Sequence, residues 1–218
     1  NVNGVNISIS KNYIFGYTVL EKNGSYEELK SKISGEYENF FKLAKENKMQ
    51  IVKIWHYLPQ LLKKHSNGKT NYSLLCEARE NIYKQYYNDI EFPAATAIGI
   101  EGNKILIYFL ASLCKTYDAI ENERQVSAYN YPQSIFLEKP MFSRAIKFSS
   151  EGSTDKKIVI SGTASIRGYK SMHEREVIKQ LDESIKNYKM FIELDKNISN
   201  ISRVYLSKSQ VYKYADII

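Results

Sequence analysis

Cysteine is scarce, with Cys76 and Cys114 the two present in 218 residues. They form no Cys-x-x-Cys pair and no dense framework, which excludes a disulfide-stapled scaffold and suits a reducing cytoplasm. Long apolar runs are lacking too. None approaches the roughly 18 residues that a membrane span requires. Residues 1–10 carry neither a basic segment nor an apolar stretch of the kind that marks a signal peptide, so none is expected. The three histidines, His56, His65 and His173, stand too far apart for any metal-ligand spacing, and neither a metal nor a cofactor is expected. No G-x-S-x-G elbow, H-E-x-x-H helix, P-loop or dinucleotide fingerprint occurs.

Hydrophobic residues make up 43% of the chain, which argues against disorder and supplies enough apolar surface for one large or two small domains. The 31 Lys+Arg against 24 Asp+Glu leave a net charge of +7. Such a balance suits either a nucleic acid or a small anionic substrate. Lysines such as Lys30, Lys32, Lys42, Lys45 and Lys48 are scattered rather than gathered in a run, and no helix-turn-helix, zinc-finger or RNP pattern accompanies them. A solvated surface around a small-molecule site is therefore expected, with no nucleic acid and no membrane as partner.

Ser25 and Glu28 have the spacing of a capping box, and Leu29, Ile33, Tyr37, Phe40 and Ala44 follow at helical intervals, predicting a helix to about Asn47. A β-type run covers 50–55 and ends in Tyr57-Leu58-Pro59. A second helix carries Leu74, Leu75, Ala78, Ile82 and Tyr86 on one face. Segments 94–100 and 104–111 flank Glu101-Gly102-Asn103, which reads as a tight β-hairpin. In the second half, 145–149 and 157–166 are strand-like around a polar turn. Ser171 and Glu174 repeat the capping box, and Val177, Leu181, Ile185, Tyr188 and Ile192 repeat the stripe. A strand at 203–206 and a short helix carrying Val211, Tyr214 and Ile217 complete the pattern. The order strand, capped helix, strand, helix thus occurs twice, as an internal repeat would have it. The second copy stops at Ile218, and the comparison predicts that its closing strand is missing.

Pro93-Ala94-Ala95-Thr96, with the strand after it, resembles the P-A-R-T segment of RidA-type proteins, with Ala95 in place of the arginine. Four further elements resemble those of the chorismatase family. Trp55-His56-Tyr57-Leu58-Pro59 is similar to its W-N-Y-L-P element, and Arg124-Gln125-Val126-Ser127-Ala128-Tyr129-Asn130-Tyr131-Pro132 to its R-Q-V-S-A-Y-x-Y-P element. Phe142-Ser143-Arg144-Ala145 matches F-x-R-A, and Ser161-Gly162-Thr163-Ala164-Ser165-Ile166 matches S-G-T-A-S-I, with Ser171 and His173 keeping an S-x-H downstream. Glu123 stands where the family usually has proline, and 134–139 replaces a loop rich in Gly and Pro.

The resemblance implies an α+β fold of duplicated RidA-like (chorismate mutase-like) units, with mixed sheets and helices packed on one face. A degenerate N-terminal half would span 1–115 and a C-terminal half 116–218. It also implies cleavage of the enolpyruvyl ether of chorismate, to pyruvate plus a dihydroxycyclohexadiene carboxylate or a hydroxybenzoate, in the cytoplasm. The protein would be a monomeric pseudo-oligomer or a homotrimer. The family's catalytic glutamate sits on a final strand resembling C-R-x-x-L-L-V-E, which places it beyond Ile218 and leaves the catalytic residue unknown here. A catalytically inactive RidA-like protein that binds a small anionic metabolite is the alternative.

Two substrate carboxylates call for arginine, whose fork binds a carboxylate through two donors. Arg144, between Phe142 and a strand, is the first candidate, since an unpaired charge there would be costly; a structural salt bridge is the other reading. Arg79 lies near Leu75 and Ile82 and matches a family arginine, although a surface arginine packing its stem would look the same. Arg124 fits a loop anchor. Tyr129 and Tyr131 alternate along an extended segment and should point the same way, toward substrate or into the core. Gly162, Thr163, Ala164 and Ser165 read as a strand end whose backbone donors and hydroxyls approach a carboxylate, or as a packing requirement. His173 falls in the capping segment, where a capping or surface role is expected.

Overall fold

The computed structural model describes residues 2, 4–87, 91–132, 134, 138–193 and 203–205. Strands β1 (Asn6–Ile9) and β2 (Tyr13–Glu21) open it as an antiparallel hairpin. Their sequence signal is weak because alternation in β2 is inverted. Ile14, Gly16 and Thr18 face inward while the larger Phe15, Tyr17 and Val19 face outward.

Helix α1 (Tyr26–Glu46) begins with the expected capping box. The Ser25 N–H donates to Glu28 Oε2 at 2.7 Å, and the Glu28 N–H to Ser25 Oγ at 3.3 Å. Leu29, Ile33, Tyr37, Phe40 and Ala44 are all buried, as their spacing requires. Strand β3 (Gln50–Pro59) and helix α2 (Asn71–Tyr86) follow, then β4 (Ala94–Ile100) and β5 (Lys104–Ser112). The sheet order is β1-β2-β5-β3-β4. Only β3 and β4 run parallel, so the sheet is mixed, and the apolar faces of α1 and α2 share its main core.

This order corrects the expected hairpin at 101–103. Strands β4 and β5 do not pair; they flank β3 on opposite sides, and the turn around Gly102 (φ +96°) passes over the end of β3. A turn signal specifies a reversal but not its partner. Residues 51–54 of β3 are buried throughout, which demands a central position with a neighbour on each edge.

A second sheet has the order β6-β7-β8, all antiparallel, from β6 (Cys114–Ile120), β7 (Ala145–Ser150) and β8 (Lys156–Ile160). Strand β6, a half-exposed edge, was not anticipated. The strand expected over 157–166 ends at Ile160, because the Ser161 N–H donates to Arg144 O and the Gly162 N–H to Ala95 O, drawing the chain off the sheet. Short strands β9 (Ile166–Arg167) and β10 (Lys170–Ser171) pair with each other before helix α3 (Val177–Ile192).

Two expectations for α3 fail. No capping box forms at Ser171 and Glu174. Ser171 belongs to β10, His173 and Arg175 take left-handed φ of 58° and 63°, and the helix starts after Glu176 with no side-chain cap. Nor is its apolar stripe the buried face. Glu183, Asn187 and Phe191 are buried, whereas Ile185 is exposed and Val177, Leu181, Tyr188 and Ile192 are only partly covered. Polar partners on the segment after β6, Asn122 and Arg124, turn that face inward. Residues 203–205 form no strand, while Leu206 and the helix expected from Ser209 lie outside the described residues.

Val52, Ala94, Ile146 and Phe148 form a second, smaller core between the two sheets. The sheets are also joined by hydrogen bonds. Ser161 Oγ accepts from the Ala95 N–H at 2.8 Å and donates to Ser143 O at 2.5 Å, and Ala94 bridges to Ser143. Among the described residues, no helix is long and apolar enough to cross a membrane.

Candidate active site at the junction of the two sheets

Arg144 precedes β7 at this junction and is 4% exposed. Its Nη2 donates to Tyr131 Oη and to Val126 O, each at 2.7 Å, and its guanidinium lies over the rings of Tyr131 and Phe142. No carboxylate among the described residues reaches ion-pair distance, so the salt-bridge reading fails. Its Nε is buried with no partner among them. Glu121 Oε1 accepts the Arg144 backbone N–H at 3.2 Å, and burial pushes the carboxyl of this residue up. A buried guanidinium with donor capacity to spare suits an incoming anion.

Beside it lies the 161–165 loop. Its carbonyls are held from behind, since Asn187 Nδ2 donates to Ala164 O at 3.0 Å and to Ile166 O at 2.8 Å. Ser165 Oγ donates to Met172 O at 2.9 Å. By contrast, the N–H groups of Thr163, Ala164 and Ser165 make no backbone hydrogen bond among the described residues, and Thr163 Oγ1 is buried without a partner. N–H groups without a backbone partner on a fixed loop can take an oxyanion or carboxylate. Gly162 fits closely against β4, where an added Cβ would stand 3.1 Å from Thr96 Cγ2 and the two would have to move slightly apart.

Tyr129 and Tyr131 do not point the same way. Residues Ala128–Asn130 form a 3-10 turn, closed by the Asn130 N–H on Ser127 O, which rotates successive side chains apart. Tyr131 turns inward to Arg144. Tyr129 packs edge-on against Phe92 and lines an open cleft of about 320 Å³ with Glu91, Tyr117, Asp118 and Glu121.

Arg79 is 2% exposed and so is not a surface arginine. It sits within the first core, 3.6 Å from Cys76 Sγ through Nη2 and beside the Tyr83 ring, with Nε unpartnered among the described residues. No contact brings it to the 161–165 loop, although Tyr72 is in electrostatic reach of both Arg79 and Tyr131. Its neighbour His56 is fully buried. A carbonyl can only accept, so Nδ1 carries the proton given to Thr96 O at 2.8 Å, and Nε2 accepts from Tyr37 Oη at 2.5 Å. Burial lowers the pKa of this imidazole to about 3, which keeps it neutral.

Residues 1–111 match the family described as chorismatase FkbO/Hyg5-like, N-terminal. The chain belongs to that chorismatase family. It is 31% identical over 160 residues to a 3-hydroxybenzoate synthase of Streptomyces hygroscopicus, covering 72% of this chain and 47% of that one. It is 28% identical over 186 residues to a chorismatase of Streptomyces rapamycinicus, covering 84% and 55%. The chain therefore spans about half the length of the curated relatives it matches. A crystal structure of a chorismatase shares the fold, with a TM-score of 0.81 at 22% identity, over 99% of this chain and 68% of the other.

The motifs that resemble the chorismatase family meet at one place. W-H-Y-L-P lies on β3, F-S-R-A leads into β7, S-G-T-A-S-I leaves β8, and 124–132 wraps around Arg144. Arg124 is the expected loop anchor. Its guanidinium pairs with Glu183 and donates from Nε to Asn187 Oδ1 at 3.0 Å. His173 offers no side-chain cap; its carbonyl accepts the Glu176 N–H. Sequence reasoning missed Lys53, which is 2% exposed and beside the loop. The available signal was a lysine inside the apolar run Ile51-Val52-Lys53-Ile54.

Proposed function

We propose that this protein binds chorismate between Arg144 and the 161–165 loop and cleaves its enolpyruvyl ether, releasing pyruvate. The observation that carries the reading is the buried Arg144 guanidinium, in no ion pair among the described residues, next to a loop whose Thr163, Ala164 and Ser165 N–H groups have no backbone partner among them. Arginine would take one substrate carboxylate, and the N–H groups of Thr163, Ala164 and Ser165 would take a second. Tyr131 orients the guanidinium. Proton transfer to the enolpyruvyl methylene would give an oxocarbenium ion, and water adds to it. The resulting hemiketal breaks to pyruvate and a dihydroxycyclohexadiene carboxylate. Elimination within the ring instead would leave a hydroxybenzoate. The proton donor is a glutamic acid by family resemblance, and no residue of 1–218 is assigned that part.

The same reading takes the fold as two RidA-like halves, 1–115 and 116–218, working on a small-molecule substrate in the cytoplasm, as a pseudo-oligomeric monomer or a homotrimer. Its support is the first sheet with two helices on one face and a second sheet followed by α3. Arg79 serves this site indirectly, by shaping the wall of tyrosines behind Tyr131. The decisive assay is pyruvate release from chorismate, coupled to lactate dehydrogenase, on residues 1–218 and on the full-length gene product. Activity in the full-length protein that is lost on Arg144→Gln supports the proposal. Folded, soluble protein inactive in both forms overturns it.

A further inference from the structure

Lys53 occupies an unusual position. A bulge between Ile51 and Lys53 in the β3–β5 ladder re-aims the strand, so that Val52 enters the core between the sheets and the lysine reaches across the junction. Its Nζ donates to Thr96 Oγ1 on β4 at 2.8 Å and to Ile160 O at the end of β8 at 2.5 Å. Ile160 is the last residue before the 161–165 loop, and Thr96 is the side chain against which Gly162 packs. The ammonium also lies 5.5 Å from the centre of the Trp55 ring. No carboxylate among the described residues pairs with it.

We propose that Lys53 is a positioning residue for the 161–165 loop, fixing both the root of the loop and the threonine it rests on through one buried ammonium group. The inference rests on the proposed reading of that loop as the carboxylate site. Among the described residues, no other cation on the neighbouring elements makes these two contacts. Leu110 is its register partner on β5, Ile146 and Phe148 face the shared core from β7, and β4 and β8 offer only a hydroxyl and a carbonyl. The titratable group that senses it is His56 on β3, which stays neutral. Burial lowers the Lys53 pKa to about 7, so its charge and its third donor proton are gained or lost near neutrality. An anion on the loop favours the charged form, and binding therefore takes up a proton where the free protein has released it.

The test compares wild type with Lys53→Met, Lys53→Arg and Thr96→Val. Trp55 is the chain's one tryptophan, and its emission reports the state of Lys53 without substrate. A transition with a midpoint near pH 7 is expected in wild type and in neither Lys53 variant, because arginine stays charged. At fixed pH, exchange of the Ser161 and Gly162 amides, which are bonded to Arg144 O and Ala95 O, is expected to accelerate in Lys53→Met and Thr96→Val. Lys53→Arg should keep its protection, and residues 105–111 should be unchanged in all variants. With chorismate, KM of wild type should rise as pH passes above about 7. The kcat should stay within about twofold, and the KM of Lys53→Arg should stay flat. Unchanged loop exchange in Lys53→Met, or a neutral transition of Trp55 that survives in both Lys53 variants, overturns the proposal. Absent turnover of chorismate counts against the function alone, since exchange and fluorescence decide the role of Lys53 without it.

Discussion

The hydroxyl of Tyr131 stands 2.7 Å from Nη2 of Arg144 and occupies the place a carboxylate would take in an ordinary buried ion pair. A neutral partner satisfies the geometry of the guanidinium without pairing its charge, and under the proposed function a substrate anion would supply that pair.

Arg144 should accordingly matter more for binding than for folding. Arg144→Gln is expected to lower kcat/KM for chorismate on the order of 100-fold, the scale of a lost buried charge contact. Arg144→Lys should recover little of this, lacking the fork. Urea denaturation is expected to show both variants as stable as wild type or more so.

Stability should rise with pH over two windows. The folded pKa of His56 is lowered to about 3, so below about 6.5 the unfolded chain binds a proton that the folded one does not, and stability falls as pH drops. The folded pKa of Lys53 is lowered to about 7, and the same sign applies between 7 and about 10. Each group contributes a slope of about 1.4 kcal/mol per pH unit within its window. Denaturation midpoints of wild type and Lys53→Met, measured from pH 7 to 10, should differ in slope by that amount.

Tyr37→Phe removes the donor to His56 Nε2 and leaves a buried ring nitrogen unsatisfied. A loss of about 1–3 kcal/mol is expected by urea titration. The change lies in the first core, so KM for chorismate should stay close to wild type in the folded variant.

Gly162→Ala would press a methyl group against Thr96, whose hydroxyl Lys53 holds in place. The loop should shift away, and KM should rise severalfold with little change in melting temperature. Thr96→Ser removes the Cγ2 in contact but keeps the hydroxyl, so the double variant should bind more tightly than Gly162→Ala alone.

Ser25→Ala tests the legible part of the fold. It deletes the acceptor for the Glu28 N–H and should cost about 1 kcal/mol in urea, without effect on chorismate turnover.

Local chemistry was readable and long-range partnership was not. Ser25, Glu28 and the stripe from Leu29 to Ala44 announce α1, because a cap and a 3.6-residue period are encoded in neighbours. The four family-like motifs likewise pointed to Arg144 and the 161–165 loop, which the fold brings together. The partner of β5 was not legible, because Glu101-Gly102-Asn103 says that the chain reverses but not that β3 separates the two arms. Helix α3 was misread for a related reason. Its apolar period is real, yet Arg124 draws Glu183 and Asn187 inward. Lys53 interrupts an apolar run, but its role was not legible because a lysine on a strand normally faces water, and the second sheet buries this one.

Asn187 joins three parts of the molecule with one amide. Its oxygen takes Arg124 of the 124–132 segment, its nitrogen takes the carbonyls of Ala164 and Ile166, and its backbone belongs to α3. Aspartate has the right shape but no N–H to give, and glutamine carries the same groups one carbon too far out. The two segments around the site thus have a common point of failure: a fault at this helix position would not stay local, and both walls would loosen together.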